Sequence, residues 1–198
     1  MWDSTLDTAL LLRLALCFLL GSIPFAVVCM AGTGIDIRKV GSGNPGFNNV
    51  LRVSKPRALL TLIGDLGKGS LAVWLAMRPG DKVEMGWVYG LVAIIGHCYT
   101  PWLRFQGGKG VATSGGVMLM LYPQWAAVAL AFFALIRLGG GKLHWKEAGM
   151  IGSLATWVVF TGLMLAVSGP REAALAACMT LFLAWRHRQN FRNLLAGR

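Results

Sequence analysis

Apolar residues along the chain fall into seven runs separated by polar segments. The runs are residues 10–31, 58–77, 86–103, 111–121, 124–138, 150–167 and 173–185. A helix crosses the hydrocarbon core of a bilayer with about 20 predominantly apolar residues, so runs of this kind predict transmembrane helices. The pattern therefore predicts an all-α, polytopic integral membrane protein with seven transmembrane helices, some of them short or kinked.

The distribution of charge decides how the short fourth and fifth runs are counted. If residues 111–138 formed one span, the basic segment around Arg137 and Lys142 and the basic C-terminal tail would both face outward, against the positive-inside rule. Two short spans place both on the side that holds the polar segment 32–57, together with most of the 19 Lys and Arg residues. We therefore predict an external N-terminus, a cytoplasmic C-terminus and a single membrane domain over residues 1–198.

Composition indicates a membrane protein, and the charge indicates which classes of partner it binds. Of the 198 residues, 56% are hydrophobic and only 14% are charged, which is outside the range of a soluble domain of this size. The net charge of +11 comes from basic residues between apolar runs, which indicates membrane lipid and anionic substrates as partners and no nucleic acid. The four cysteines have no metal-ligand spacing, and His97-Cys98 lacks further ligands, so we predict no metal and no cofactor.

A glycine-rich polar stretch, GSGNPGFNNVLR at residues 41–52, separates the first two apolar runs. Its glycines, Gly43 among them, permit unusual dihedral angles, so successive N–H groups can point into one concavity. The side chains of Ser42, Asn44, Asn48 and Arg52 add polar groups around it. The stretch therefore predicts an anion-binding loop. Its GxGxxG spacing does not indicate dinucleotide binding, because no βαβ unit surrounds it.

A second glycine-rich stretch, Gly107-Gly108-Lys109, opens the fourth predicted helix. Free N–H groups and the helix dipole favour an anion at a helix N-terminus, and the lysine adds a positive charge. The stretch therefore predicts a second phosphate site. It is not a Walker motif, because Leu103 occupies the position of the first glycine and Gly110 follows the lysine in place of Ser or Thr.

Two features inside the predicted spans each have two interpretations. Asp65 and Lys68 are three residues apart and share a helix face, so they form either an ion pair that fixes helix packing or part of a substrate site. Pro24 removes one helical hydrogen bond from the first span, which indicates a packing kink or a direct substrate contact.

Together these motifs resemble the bacterial acyl-phosphate glycerol-3-phosphate acyltransferases, small polytopic enzymes of phospholipid synthesis. The resemblance rests on GSIP at 21–24, DIRKVGSGNPGFNNVLR at 36–52, DLGKG at 65–69, GH at 96–97, FQGGKGVAT at 105–113 and HRQNFRNLLAG at 187–197. It implies transfer of a fatty acyl group from acyl phosphate to the 1-hydroxyl of sn-glycerol 3-phosphate, giving lysophosphatidic acid and phosphate. It also implies a bacterial inner membrane, an active site facing the cytoplasm and functional coupling to an enzyme that generates acyl phosphate.

The resemblance further implies a phosphate-binding group and a set of residues around it. The phosphate-binding group is Ser42, Arg52 and Lys109, completed by His187 and Asn190 and shaped by Asn44, Gly43, Gly107 and Gly108. An alternative for the tail is that His187 and Arg188 anchor the last helix at the membrane interface.

The chain departs from the family pattern at two places. Asn48 replaces a threonine, and Leu143-His144-Trp145-Lys146-Glu147 replaces a serine-containing stretch. We keep Asn48 among the predicted substrate-binding residues and assign no site residue within 143–147.

The sequence leaves the identity of any general base open. A serine elbow GxSxG and an HxxxxD dyad are both absent from the sequence. His97, Asp65 and His187 are the candidates, and a phosphate oxygen of a substrate is the alternative. A transporter of phosphorylated solutes is the rival class, since short and broken spans with polar groups also occur there.

Overall fold

The computed structural model describes residues 4–143, 145 and 147–196, and it describes no side chain for residues 4–7 and 141. Every regular element in this part of the chain is helical. The helices are α1 Ser4–Ser22, α2 Phe25–Met30, α3 Phe47–Leu51, α4 Lys55–Ala76, α5 Val83–Cys98, α6 Val111–Leu121, α7 Pro123–Lys142, α8 Ala148–Val167, α9 Pro170–Arg186 and α10 Arg188–Leu195. Two 3-10 turns, Ile37–Lys39 and Pro101–Leu103, lie between them.

Helices lie at all seven predicted runs, and the predicted all-α class is confirmed. Four of them are long and apolar enough to cross a bilayer: Thr8–Met30, Lys55–Ala76, Pro123–Gly140 and Ala148–Val167. The count of seven spans and the orientation of the termini stay predictions. Residues 1–3, His144, Lys146 and 197–198 lie outside the described residues.

The first apolar run is a broken helix, and the break is held by two other segments. α1 ends at Ser22 and α2 begins at Phe25, because Pro24 cannot donate a helical hydrogen bond. The carbonyl of Ser22 accepts a hydrogen bond from Thr100 Oγ1 at 2.7 Å. The carbonyl of Ile23 accepts one from Lys68 Nζ at 2.7 Å. These contacts favour the interpretation of the kink as a packing feature.

The described chain divides into two compact units, one ending at Leu121 and the other beginning at Tyr122. In the first unit, helices approach so closely that glycine is required where they meet. A Cβ on Gly21 of α1 would overlap the backbone of Ala93 in α5, and one on Gly69 of α4 would overlap Thr113 in α6. Close backbone approach at small residues is typical of helix packing in membranes.

The first unit has two polar ends. Arg13 of α1 pairs with Asp81 at 2.9 Å, so the α4–α5 connection lies at the end of the unit where α1 begins. The hydrogen bond between Thr100 and Ser22 places the α5–α6 connection at the other end. Residues 31–54, between α2 and α4, lie at that end too. We call residues 31–54 the first polar loop and residues 99–110 the second polar loop.

The second unit is built from α7 to α10. α8 and α9 meet at Thr161 and Thr180, whose hydroxyl oxygens are 3.1 Å apart. Trp157 and Phe160 of α8 are buried and stack edge to face. The short helix α10 follows α9 directly and was not predicted from the sequence.

Candidate functional site

The first polar loop is organised by the side chain of Asn49, which is 1% exposed. Its Nδ2 donates to the carbonyls of Ile37 at 2.8 Å and Val40 at 2.9 Å, and its Oδ1 accepts from the Ser42 N–H at 3.2 Å. Asn49 therefore connects the 3-10 turn to the glycine-rich stretch. We did not predict this residue, although it adjoins the predicted Asn48.

The backbone amides of the predicted anion cradle have hydrogen-bond partners in the structure. Besides Ser42, the N–H groups of Gly43 and Gly46 donate to carbonyls of the loop, at 3.0 Å each, and the N–H of Asn44 donates to Ser42 Oγ at 3.4 Å. These backbone N–H groups therefore already donate to acceptors within the loop. The binding of an anion by Gly43 and Asn44 stays a prediction, and the exposed side chains of the loop are the donors that remain open to a ligand.

The predicted side chains of the first polar loop are accessible to solvent. Ser42, Asn48 and Arg52 are exposed and Asn44 is half-buried. The Arg52 N–H donates to the Asn49 carbonyl at 3.2 Å, so the arginine ends the single turn of α3. Its guanidinium passes beside Gly41, where a Cβ would lie 3.0 Å from Nη1.

A second arginine of this loop is engaged by a carboxylate. Arg38 donates from Nε at 2.9 Å and from Nη2 at 2.8 Å to the two oxygens of Asp36, which also accepts from the Arg38 N–H. These hydrogen bonds and the charge of Arg38 lower the pKa of Asp36 to about 2. Asp36 is therefore ionised at neutral pH and offsets the charge of Arg38, which leaves Arg52 as the stronger candidate for phosphate.

A buried polar cluster lies between α4, α5 and the break in the first span. Lys68 Nζ is 2.7 Å from Asp65 Oδ1, and His97 Nδ1 is 3.5 Å from the same oxygen. The side chains of Asp65, Lys68 and His97 are 3%, 2% and 8% exposed. Because Lys68 also donates to the Ile23 carbonyl, this geometry favours the ion-pair interpretation of Asp65 and Lys68 over direct substrate binding.

The second polar loop folds back onto the end of α5. The N–H of Gly107 donates to the Cys98 carbonyl at 3.1 Å, and the N–H of Gly108 donates to the His97 carbonyl at 3.2 Å. A Cβ on Gly108 would overlap the imidazole of His97. The predicted phosphate contacts of Gly107 and Gly108 stay predictions, although both N–H groups donate to α5 in this structure. The glycines allow close packing, and the half-buried Lys109 follows them directly.

The remaining predicted site residues lie in the second unit. His187 is 3% exposed, with Nδ1 2.8 Å from the Leu183 carbonyl. Asn190 Nδ2 donates to Glu147 Oε2 at 2.6 Å. Glu147 belongs to the segment 143–147, to which we assigned no site residue. The roles of His187 and Asn190 in the phosphate pocket stay predictions.

Metal ligands are not grouped in the part of the chain that the structure describes. No set of three or more His, Cys, Asp or Glu side chains there is arranged to hold a metal ion. The expectation of a metal-free and cofactor-free enzyme stays a prediction.

Comparison with known proteins gives a consistent result over nearly the whole chain. A family model described as glycerol-3-phosphate acyltransferase matches residues 11–197. A glycerol-3-phosphate acyltransferase of Pseudomonas syringae pv. tomato is 42% identical, over 91% of this chain and 92% of the relative. One of Laribacter hongkongensis is 41% identical, over 93% and 92%. One of Pseudomonas aeruginosa is 43% identical, over 92% and 94%.

Two solved structures are similar to this fold. Both are crystal structures of PlsY (YgiH), an integral membrane glycerol 3-phosphate acyltransferase. The glycerol 3-phosphate form has a TM-score of 0.82 and 30% identity, and the lysophosphatidic acid form has 0.81 and 29%. Each comparison covers 96% of this chain and 93% of the crystallised chain.

Proposed function

The chain belongs to the glycerol-3-phosphate acyltransferase family, and we propose that its acyl donor is an acyl phosphate. It is an integral membrane acyltransferase of phospholipid biosynthesis that acylates glycerol 3-phosphate to lysophosphatidic acid. The acceptor is the 1-hydroxyl, and inorganic phosphate leaves. An enzyme that generates acyl phosphate supplies the donor in the cell.

The observation that carries this proposal is the placement of two cationic loops at one end of the first unit. Arg52 lies on the first polar loop and Lys109 on the second, and both substrates carry a phosphate. An arginine offers a planar fork and a lysine a point charge, which are two complementary ways to hold a phosphate. Neutralising both phosphates reduces the repulsion between donor and acceptor.

The proposed reaction needs little acid–base help from the protein. The acceptor hydroxyl attacks the acyl carbonyl, an ester bond forms, the bond from carbonyl carbon to phosphate oxygen breaks, and the hydroxyl proton passes to a phosphate oxygen. Holding the two substrates in attack geometry can supply about 7–11 kcal/mol of the barrier. Asp65 and His97 are buried, so we propose that they have a structural role and that the proton passes to the phosphate without them.

The donor is tested by supplying each activated acyl group in turn. Purified protein is given acyl phosphate or acyl-CoA with radiolabelled glycerol 3-phosphate, with and without EDTA. We expect lysophosphatidic acid from acyl phosphate alone, unchanged by EDTA. Equal turnover from acyl-CoA would contradict the donor assignment. If neither donor gave product and proteoliposomes took up glycerol 3-phosphate, the transporter would be the better description.

The phosphate-binding roles are tested at the two cations. We expect Arg52→Ala and Lys109→Ala each to lower kcat/KM at least a hundredfold, the order found when a charge-stabilising donor is removed from an active site. Lys82→Ala removes an exposed positive charge at the opposite end of the unit and serves as the matched control. A variant of Arg52 or Lys109 with near-wild-type rates would remove that residue from the site. The proposed contacts of Ser42, Asn44 and Asn48 with a substrate phosphate are tested by the same measurement.

We further propose seven membrane crossings, an external N-terminus and a cytoplasmic active site in a bacterial inner membrane. The support is the distribution of Lys and Arg between the connections. Single cysteines placed at Phe47, Asp81 and Gln189 in a background without native cysteines can be labelled with an impermeant thiol reagent in intact cells. Only the cysteine at position 81 should react. Opposite accessibility of positions 47 and 189 would exclude the seven-span arrangement.

A further inference from the structure

In the first polar loop, the side chain of Asn49 is buried, and both its amide nitrogen and its amide oxygen form hydrogen bonds. Asn49 is 1% exposed, whereas its neighbour Asn48 is exposed. A buried amide without partners costs free energy, so its hydrogen bonds indicate what it was placed to hold. All three of its hydrogen bonds run to the backbone of the same loop, at Ile37, Val40 and Ser42.

These contacts join the two predicted phosphate ligands of the loop through one residue. The side-chain oxygen of Asn49 fixes the backbone N–H of Ser42. The backbone carbonyl of Asn49 accepts the N–H of Arg52. Gly41 lies against both the Asn49 side chain and the Arg52 guanidinium, and a Cβ at this position would contact both. Asn49 thus contacts the two residues that carry these groups, Ser42 through its side-chain oxygen and Arg52 through its backbone carbonyl.

A cluster of buried apolar residues packs against the turn that carries Asn49. Val50 and Ile37 are buried, together with Ala26, Met30 and Ala58. These residues pack the turn of α3 through apolar contacts, and Asn49 supplies the side-chain hydrogen bonds from this turn to the rest of the loop. The side-chain amide is therefore the part of the loop that specifies the positions of the polar groups.

We propose that Asn49 is a positioning residue for catalysis, which sets the Ser42 and Arg52 geometry needed to hold a substrate phosphate. The inference rests on the proposed function of this loop in phosphate binding. Asn49 itself does not touch substrate, because its side-chain donors and acceptor are already engaged within the loop. A substrate oxygen would meet Ser42 and Arg52 only when the loop has the spacing that Asn49 imposes.

The first test compares Asn49→Asp with a matched control. Aspartate has almost the same shape and keeps the acceptor for Ser42, but it faces the carbonyls of Ile37 and Val40 with an oxygen in place of the donor. We expect kcat/KM to fall at least about 30-fold, with a higher KM for one or both phosphate-bearing substrates. Thr33→Val is the control, because Thr33 also bonds to backbone groups through its side chain, at Met30 of α2 and at Ile35 of this loop, away from Ser42 and Arg52.

A purely structural role makes a different prediction. Loss of folded protein would lower the apparent kcat and leave both KM values unchanged. A double-mutant cycle separates the two cases further. In an Arg52→Ala background we expect Asn49→Ala to lower kcat/KM by a smaller factor than in the wild type, because one of the two groups that it positions is gone. Full additivity of the two losses, or an Asn49→Asp variant with wild-type KM values, would overturn the inference.

A measurement without turnover keeps this inference distinct from the proposed function. A spin label on a cysteine at position 48, in a background without native cysteines, reports the mobility of the loop surface. We expect Asn49→Ala to sharpen the spectrum and Thr33→Val to leave it unchanged. An unchanged spectrum for Asn49→Ala would contradict the positioning role even if the wild-type protein transferred no acyl group. Wild-type protein that showed no acyl transfer while the loop mobility changed as expected would count against the proposed function alone.

Discussion

The two polar loops of the first unit use glycine for different physical reasons. In the first loop, Gly41 and Gly43 have φ of +56° and +68°, a region that other residues avoid. In the second loop, Gly107 and Gly108 are required because a Cβ would overlap the carbonyl or the ring of His97. The first loop is therefore shaped by backbone conformation and hydrogen bonds, and the second by packing against a buried side chain.

The same contrast extends to the charged pairs beside each loop. Asp36 and Arg38 of the first loop pair in the open, whereas Asp65 and Lys68 pair inside the protein, next to His97. A pair in water is screened and adds little to stability, but a buried charge that loses its partner is strongly unfavourable. The second loop consequently depends on interactions that are costly to disturb.

The largest effect should come from breaking the buried pair. We expect Asp65→Leu to lower the free energy of unfolding by about 3–5 kcal/mol, because Lys68 is left buried without its carboxylate. Unfolding can be followed in detergent through the thiol reactivity of the buried Cys17 and Cys98. Asp36→Asn, in the exposed pair, should change little. The double variant Asp65→Leu/Lys68→Leu should recover part of the loss, and equal instability of the single and double variants would contradict this explanation.

Steric packing in the second loop can be tested at one glycine. We expect Gly108→Ala to lower kcat/KM about a hundredfold, because the methyl group displaces either His97 or the backbone that carries Lys109. Gly67→Ala is the matched control, since no atom outside the adjoining helical backbone lies within 4 Å of a Cβ there. That helical substitution should stabilise the protein by about 1 kcal/mol. Wild-type activity of Gly108→Ala would show that the loop tolerates displacement.

The smallest effect concerns backbone conformation. The first loop has glycine at its positions of positive φ, whereas the second loop also has two other residues there. Arg104 and Phe105 of the second loop have φ of +52° and +61° without being glycine. We expect Gly43→Ala to cost about 1–2 kcal/mol and Phe105→Gly to relieve a similar strain. Thermal unfolding of the two variants in the same detergent measures both. A destabilised Phe105→Gly would mean that the exposed phenyl ring contributes more than the strain costs.

The local sequence pattern was sufficient to predict the helices at the apolar runs and the contact between charged residues on the same helix. The apolar runs are continuous in sequence, so each of them predicts a helix without knowledge of its neighbours. Asp65 and Lys68 are three apart on a helix, and their 2.7 Å contact follows from that spacing. The positions of both polar loops were also predicted, because glycine and polar residues interrupt the apolar pattern there.

The internal hydrogen bonds of the loops could not be predicted in the same way. Asn48 and Asn49 are chemically identical, and only the turn of α3 decides which of them faces inward. The N–H groups of Gly107 and Gly108 donate to carbonyls about ten positions earlier in the chain. The chain folds back on itself there, and the hydrophobic periodicity of the sequence does not predict such a turn. The bond between Asn190 and Glu147 likewise joins segments 43 residues apart.

The break between α1 and α2 leaves a backbone carbonyl of the first apolar run without the i+4 donor of a continuous helix. In lipid, a carbonyl without a donor and a lysine without a partner are each unfavourable. The Ile23 carbonyl receives the Lys68 ammonium from a position 45 residues later in the chain. The first apolar run and α4 therefore depend on each other inside the membrane, since each supplies a hydrogen-bond partner to the other.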